Sequence, residues 1–146
     1  MQLSTKGRYA VMAMTDLASQ GEGRAIALAA IAERQQLSLA YLEQLFARLR
    51  RAGLVCSVRG PGGGYRLARP AAETTIADVV TAVDEPLKAT RCSGHDIAAG
   101  CMKGGARCLT HDLWEETGRM IHDYFAGVSL DDVVSGRFRG QPARAA

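Results

Sequence analysis

The sequence predicts a mainly α fold, a winged helix-turn-helix with a small β-hairpin wing plus a long C-terminal dimerisation helix. Three observations carry that reading. Residues 28–51 hold two amphipathic helical patterns joined by a tight turn. Residues 55–68 alternate like a strand, break at a glycine-rich run and return. Residues 112–125 repeat apolar side chains at helical spacing behind a cysteine-bearing segment. The 146 residues suffice for one small domain with one added element. The expected boundaries are 1–90 for the winged domain, 91–111 for a ligand loop, 112–135 for the dimerisation helix and 136–146 for a flexible tail.

The elements follow in order. Residues 5–19 form a first helix whose Tyr9, Ala10, Met12, Ala13, Leu17 and Ala18 make a broad apolar face; Gly21-Glu22-Gly23 ends it. A second helix spans about 27–35, with Leu28, Ile31 and Ala32 on one side. Gln36-Leu37-Ser38 makes the connection, and Ser38 is placed to cap a third helix, 39–51. Its stripe is Leu39, Leu42, Leu45, Phe46 and Leu49, and Gly53 stops it. Leu54 to Arg59 alternates as a strand, Gly60-Pro61-Gly62-Gly63-Gly64 turns, and Tyr65 to Ala68 returns. Thr75 and Asp78 fit a capping box opening a helix to Val83, which Asp84-Glu85-Pro86 closes. The long helix from Asp112 carries Leu113, Trp114, Thr117, Ile121, Tyr124, Phe125 and Val128 along one side, and Trp114–Ile121–Phe125 is the expected dimer stripe. Ser129 and Asp132 mark a last short helical turn.

Charge is unevenly spread. The net +3 divides into ten Lys/Arg against four Asp/Glu over residues 1–70, which is +6, and eight against eleven over 71–146, which is −3. A basic N-terminal half is the footprint of a polyanion binder. On the recognition helix the outward residues near its start are Ser38, Ala40, Tyr41, Glu43 and Gln44. Gln44 can bond an adenine edge, Glu43 can accept from a cytosine amino group, and Ala40 permits close approach. Arg48, Arg50 and Arg51 suit phosphates, which position without reading sequence. Arg59, beside the wing glycines, suits a narrow minor groove. Glu43 has no basic neighbour three or four positions away, so no intrahelical ion pair explains it.

Three of the four cysteines crowd into one segment, Cys92-x8-Cys101-x6-Cys108-x2-His111. Three thiols and an imidazole are soft or borderline donors that suit an iron–sulfur cluster or a structural zinc ion, and both readings stay open on spacing alone. Glycines let such a segment wrap a metal centre, and binding then supplies its folding energy. His95 could replace His111 as fourth donor, His122 reads as an ordinary helix residue, and Cys56 reads as a small buried hydrophobe. No catalytic constellation is legible, so no enzyme is expected. No apolar run approaches the roughly 20 residues of a membrane span, and the start lacks a secretory pattern. A cytoplasmic protein without membrane attachment is the expectation.

Leu3-Ser4-Thr5-Lys6-Gly7-Arg8-Tyr9-Ala10-Val11, the run from Ser38 to Arg51, Val58 to Tyr65, and Cys108-Leu109-Thr110-His111 with Leu113-Trp114 together resemble the IscR-type family of iron–sulfur cluster regulators. The likeness spans about residues 1–135. It implies a homodimer on a pseudo-palindromic site in double-stranded DNA, and one [2Fe–2S] cluster per subunit on Cys92, Cys101, Cys108 and His111. It further implies a repressor or dual regulator of iron–sulfur assembly genes. The ligand segment is longer than that family's pattern, by three residues between the first two cysteines and one between the next two. A zinc-stapled winged-helix regulator and a nitric-oxide- or iron-responsive relative are the alternatives. An electron carrier or thiol oxidoreductase would leave the helix-turn-helix and the wing unexplained.

Overall fold

The computed structural model describes residues 4–85, 102 and 106–137 of the chain. Cys92, His95, Cys101 and the tail from 138 onward lie outside the described residues. The described part is built of helices α1 (Thr5–Ser19), α2 (Leu28–Gln35) and α3 (Leu39–Arg51). Strands β1 (Val55–Val58) and β2 (Gly64–Leu67) follow, then a 3-10 turn (Ala71–Glu73) and helices α4 (Ile76–Ala82), α5 (His111–Ala126) and α6 (Leu130–Ser135). This is the winged helix-turn-helix order predicted from sequence.

Helix α1 is the post around which the domain assembles, with α2, α3, α4 and α6 packed on it. Its buried face is Ala10, Ala13, Met14 and Leu17, while Met12, expected inside, is exposed. The small alanines let neighbouring helices come close; Met14, Leu17 and the fully buried Phe46 fill the space between them. The start of α1 is capped from far away. Ser4 makes no side-chain cap of its own. Instead its N–H donates to Glu85 Oε1 at 2.8 Å, and its hydroxyl donates to the other oxygen of that carboxylate. A carboxylate there also meets the positive end of the helix dipole. Gly7 makes room for it, because a Cβ on Gly7 would stand 2.9 Å from Glu85 Cγ.

The helix-turn-helix is closed at Gln36, which takes a left-handed conformation (φ 54°). Ser38 then caps α3, accepting from the Tyr41 N–H at 3.4 Å. Leu42, Leu45, Phe46 and Leu49 are buried as expected, but Leu39 is 40% exposed. At 100° per residue Leu39 lies roughly 70° from the centre of the other four, at the stripe's edge.

The wing is an antiparallel hairpin in which Val55 faces Leu67 and Val58 faces Gly64. It is tied to the rest by a bridge the sequence did not announce: Ile26 and Tyr65 exchange two backbone hydrogen bonds, each 2.8 Å. Gly64 makes that possible, since a Cβ there would lie 2.2 Å from the Ile26 carbonyl oxygen. Below it, Tyr65 meets Phe46 edge to face at 5.0 Å, so the base of the wing rests on α3. Cys56, on β1, is half-buried rather than buried.

The C-terminal elements divide in two. Ser129 and Asp132 form a full capping box for α6, as Thr75 and Asp78 do for α4. Reciprocal bonds from Ile76 N–H to Val128 O and from Leu130 N–H to Thr74 O, each 2.9 Å, join the two capping corners. Val128 and Leu130 are buried in the core beneath α1, so α6 belongs to the winged domain's packing. By contrast α5 contains no buried residue, and its main neighbour among the described elements is α4. No helix among the described residues is long and apolar enough to cross a membrane.

Candidate nucleic-acid interface and ligand segment

The helix-turn-helix is held at a fixed angle by a charged clamp. The Asp16 carboxylate, buried on α1, accepts from Arg34 Nε at 3.0 and 3.2 Å, from Arg34 Nη2 at 2.5 Å and from Gln35 Nε2 at 2.7 Å. Burial by itself would raise the Asp16 carboxyl, but the bonds from Arg34 and Gln35 and the guanidinium charge hold it below the ordinary aspartate range. A two-pronged contact fixes orientation as well as distance. The end of α2 is therefore locked to α1 immediately before the turn into α3.

That lock presents the outer face of α3 to solvent. Ser38, Ala40, Glu43, Gln44, Arg50 and Arg51 are exposed. Tyr41 is half-buried because its ring meets Tyr9 edge to face at 6.1 Å. Among the described residues no ion pair involves Glu43, Arg50, Arg51 or Arg59, and Arg59 stands exposed where β1 enters the glycine turn. Arg48 differs: its guanidinium is paired with the carboxylate of Asp84, just beyond α4. The Lys6 ammonium donates to the Asp84 carbonyl at 2.8 Å. Next to it, burial would raise the Glu85 carboxyl, but Ser4, the nearby Lys6 charge and the Gly7 backbone hold it below the usual glutamate range. Sequence reading missed this corner, where Ser4, Lys6 and Arg48 converge on Asp84 and Glu85.

At the other end, Cys108 and His111 are brought into one turn by the hydrogen bond from the His111 N–H to the Cys108 carbonyl, 3.0 Å. Cys108 is half-buried and its Sγ lies 3.8 Å from Thr110 Oγ1. His111 opens α5 with its side chain 17% exposed, and its Nε2 lies 3.5 Å from Glu115 Oε2. A cysteine and a histidine within one backbone turn at a helix N-terminus, where negative charge is favoured, are donor types that fit a thiolate-rich anionic metal centre. The donor atoms of His111, Asp112 and Glu115 all lie within 4.8 Å of one another. Asp112 lies in the first turn of α5, and the signal for a carboxylate beside the imidazole is the four-residue spacing of His111 and Glu115. Such a carboxylate suits an orienting partner for a ligating histidine.

Along α5, Leu113, Thr117, Met120 and Tyr124 form one line, with Leu113, Met120 and Tyr124 exposed by 59, 64 and 50%. The expected stripe is only partly available. Trp114 is exposed, Ile121 is half-buried and Phe125 leans on the core of its own domain. Met120, which the sequence reading passed over, belongs to the open line. His122 is exposed on α5 and is no part of the Cys108–His111 turn.

The chain as a whole is similar to known transcription regulators. The pattern of the Rrf2 family, described as iron-dependent transcriptional regulator, matches residues 3–136. The HTH-type transcriptional regulator IscR of Photorhabdus laumondii is 51% identical over 137 residues, covering 94% of this chain and 81% of the relative. Among solved structures, T. potens IscR superposes with a TM-score of 0.75 at 36% identity, covering 99% of this chain and 94% of that one. CymR, the global cysteine regulator of B. subtilis, gives a TM-score of 0.75 at 30% identity, covering 93 and 98%.

Proposed function

We propose that this chain, which belongs to the Rrf2 family of iron-dependent transcriptional regulators, works as a cytoplasmic homodimer governing iron–sulfur cluster assembly genes through a bound [2Fe–2S] cluster. That it is a DNA-binding transcription regulator follows from the family and from its IscR relatives. The finer reading rests on one observation: a small domain that leaves the polar face of α3 open also sets Cys108 and His111 together in the turn that starts α5.

On this reading Ala40, Glu43 and Gln44 meet base edges in the major groove. Ser38, Tyr41, Arg48, Arg50 and Arg51 meet the backbone, and Arg59 enters the minor groove beside it. Cys92, Cys101, Cys108 and His111 would hold the cluster, one per subunit. When bound, it supplies an iron centre that can change oxidation state. His111 is steadied for this role by its helix and by Glu115. The line Leu113–Thr117–Met120–Tyr124 alternates steps of four and three, the spacing of a two-helix seam, and would bury itself against the same line of a second copy. Two such subunits present two recognition helices to a pseudo-palindromic operator.

The test is purification without oxygen, followed by visible spectroscopy with iron, sulfide and zinc analysis. The wild-type protein should be red-brown, with iron and sulfide in equal amounts. Cys92→Ala, Cys101→Ala and Cys108→Ala should each be colourless while remaining folded. A colourless wild type containing zinc would favour the zinc-stapled alternative. Material with neither metal nor sulfide would remove the sensor and leave a plain DNA-binding protein.

A further inference from the structure

The corner where α4 ends against α3 carries an ion pair that the family assignment does not explain. Arg48 lies two turns along α3 from Tyr41, on the flank of the outward face. It is held by the carboxylate of Asp84 from outside its own helix, 36 residues on. Both partners are open to water, so the pair adds little to the fold. Yet the backbone that carries it is firmly fixed. Asp84 sits in a left-handed conformation (φ 55°), which is uncommon for a non-glycine residue. Lys6 grips its carbonyl. The next residue, Glu85, is almost fully buried and bonded to Ser4 at the start of α1. Lys6 and Ser4, both at the start of α1, thus hold the backbone that sets this carboxylate on one arginine of the recognition helix.

We infer that Asp84 is an affinity-setting residue that occupies the Arg48 guanidinium in place of a DNA phosphate. The inference rests on the reading that α3 faces DNA. A carboxylate and a phosphate present the same pair of acceptor oxygens to a guanidinium, so the two compete for one cation. When Arg48 engages the backbone it must leave Asp84, and part of the gain from the phosphate contact is spent on that release. Asp84 thereby lowers the sequence-independent share of binding while leaving Ala40, Glu43 and Gln44 untouched. The ratio of specific to non-specific affinity stays as it was, because a contact common to all sequences cancels from it.

The experiment compares the full chain with Asp84→Asn, Arg48→Gln and the double variant, each titrated onto a mixed-sequence DNA duplex by fluorescence anisotropy. Asparagine tolerates the left-handed conformation as well as aspartate does, so the corner should keep its shape; thermal melting checks that it has. Asp84→Asn should bind about threefold more tightly, a gain in keeping with an exposed pair. Its plot of log affinity against log salt, between about 50 and 200 mM, should steepen by about one ion. Both gains should vanish when Arg48 is also replaced. A gain that persists without Arg48 would mean simple removal of surface charge and would overturn the inference. Weaker binding by Asp84→Asn would also overturn it, making Asp84 a support for Arg48. Failure of the wild-type chain to bind any duplex is a separate result: it would remove the DNA-facing reading of α3, and the inference with it.

Discussion

Helices α3 and α5 are of similar length and both carry apolar side chains at helical spacing, yet they sit in the molecule in opposite ways. In α3 four of the five stripe residues are buried, Phe46 among them, and the polar face is left to solvent. In α5 nothing is buried, and Leu113, Met120 and Tyr124 stand in water. Amphipathic periodicity says that a helix has two faces, but what covers the apolar one depends on the elements that reach it. Helix α3 is surrounded by α1, α2, α4 and β1. Helix α5 has α4 as its main neighbour among the described elements, Phe125 reaches the core, and the Leu113–Tyr124 line stays open. One helix thus has its polar face free for function, and the other its apolar face.

The contrast can be broken most forcefully at Phe46. It is fully buried and its ring packs on Tyr65 at the wing base. Phe46→Ala should cost about 3–5 kcal/mol of folding stability, read as a fall in the urea midpoint with an unchanged slope. A loss below about 1 kcal/mol would mean that α3 is no better seated than α5. The matching change on α5 should behave differently. Leu113→Asp with Tyr124→Asp places two charges in the open line without disturbing the domain's own core. It should raise the dimer dissociation constant at least about a hundredfold, about 2.8 kcal/mol, in sedimentation equilibrium, with far-ultraviolet circular dichroism unchanged. A dimer that survives both charges would move the interface elsewhere.

Much of α3 was legible because its cues are local. Ser38, the stripe and the terminal Gly53 all lie within 16 residues of one another, and the periodicity of Leu42, Leu45, Phe46 and Leu49 is enough to locate the core. The Thr75–Asp78 capping box and the short helical turn marked by Ser129 and Asp132 were legible for the same reason. In α5 two apolar lines satisfy helical spacing equally, and the choice between Trp114–Ile121–Phe125 and Leu113–Met120–Tyr124 depends on where α4 lies, which no window of sequence contains. The charged contacts were illegible altogether. Asp16 with Arg34, Arg48 with Asp84 and Ser4 with Glu85 join residues 18, 36 and 81 positions apart, and only tertiary packing selects them from all the available charges. The ligand segment was legible as chemistry, through its cysteines and His111, while the role open to Glu115 came from geometry.

The smallest of the three expected effects concerns the clamp that gives α3 its angle and for which α5 has no counterpart on its exposed face. Asp16→Asn keeps the shape and one acceptor oxygen but removes the charge that holds Arg34. A broken buried pair can cost 3–5 kcal/mol, yet the Arg34 side chain is 38% exposed and can turn into water, so about 1–2 kcal/mol is expected near neutral pH. The loss should depend on acidity in a definite direction. The Asp16 carboxyl titrates lower in the folded chain than in the unfolded one, so the unfolded state takes up its proton first as the pH drops. The clamp's contribution is therefore complete above the unfolded aspartate range, near about 3.9, and disappears as the pH falls through the lower, folded value. Urea titrations of the wild type and Asp16→Asn at neutral pH and in acid should show the gap between the two proteins closing on acidification. A gap that stays constant would assign the clamp's effect to shape rather than charge, and the orientation of the recognition helix would then rest on apolar packing, as that of its buried stripe does.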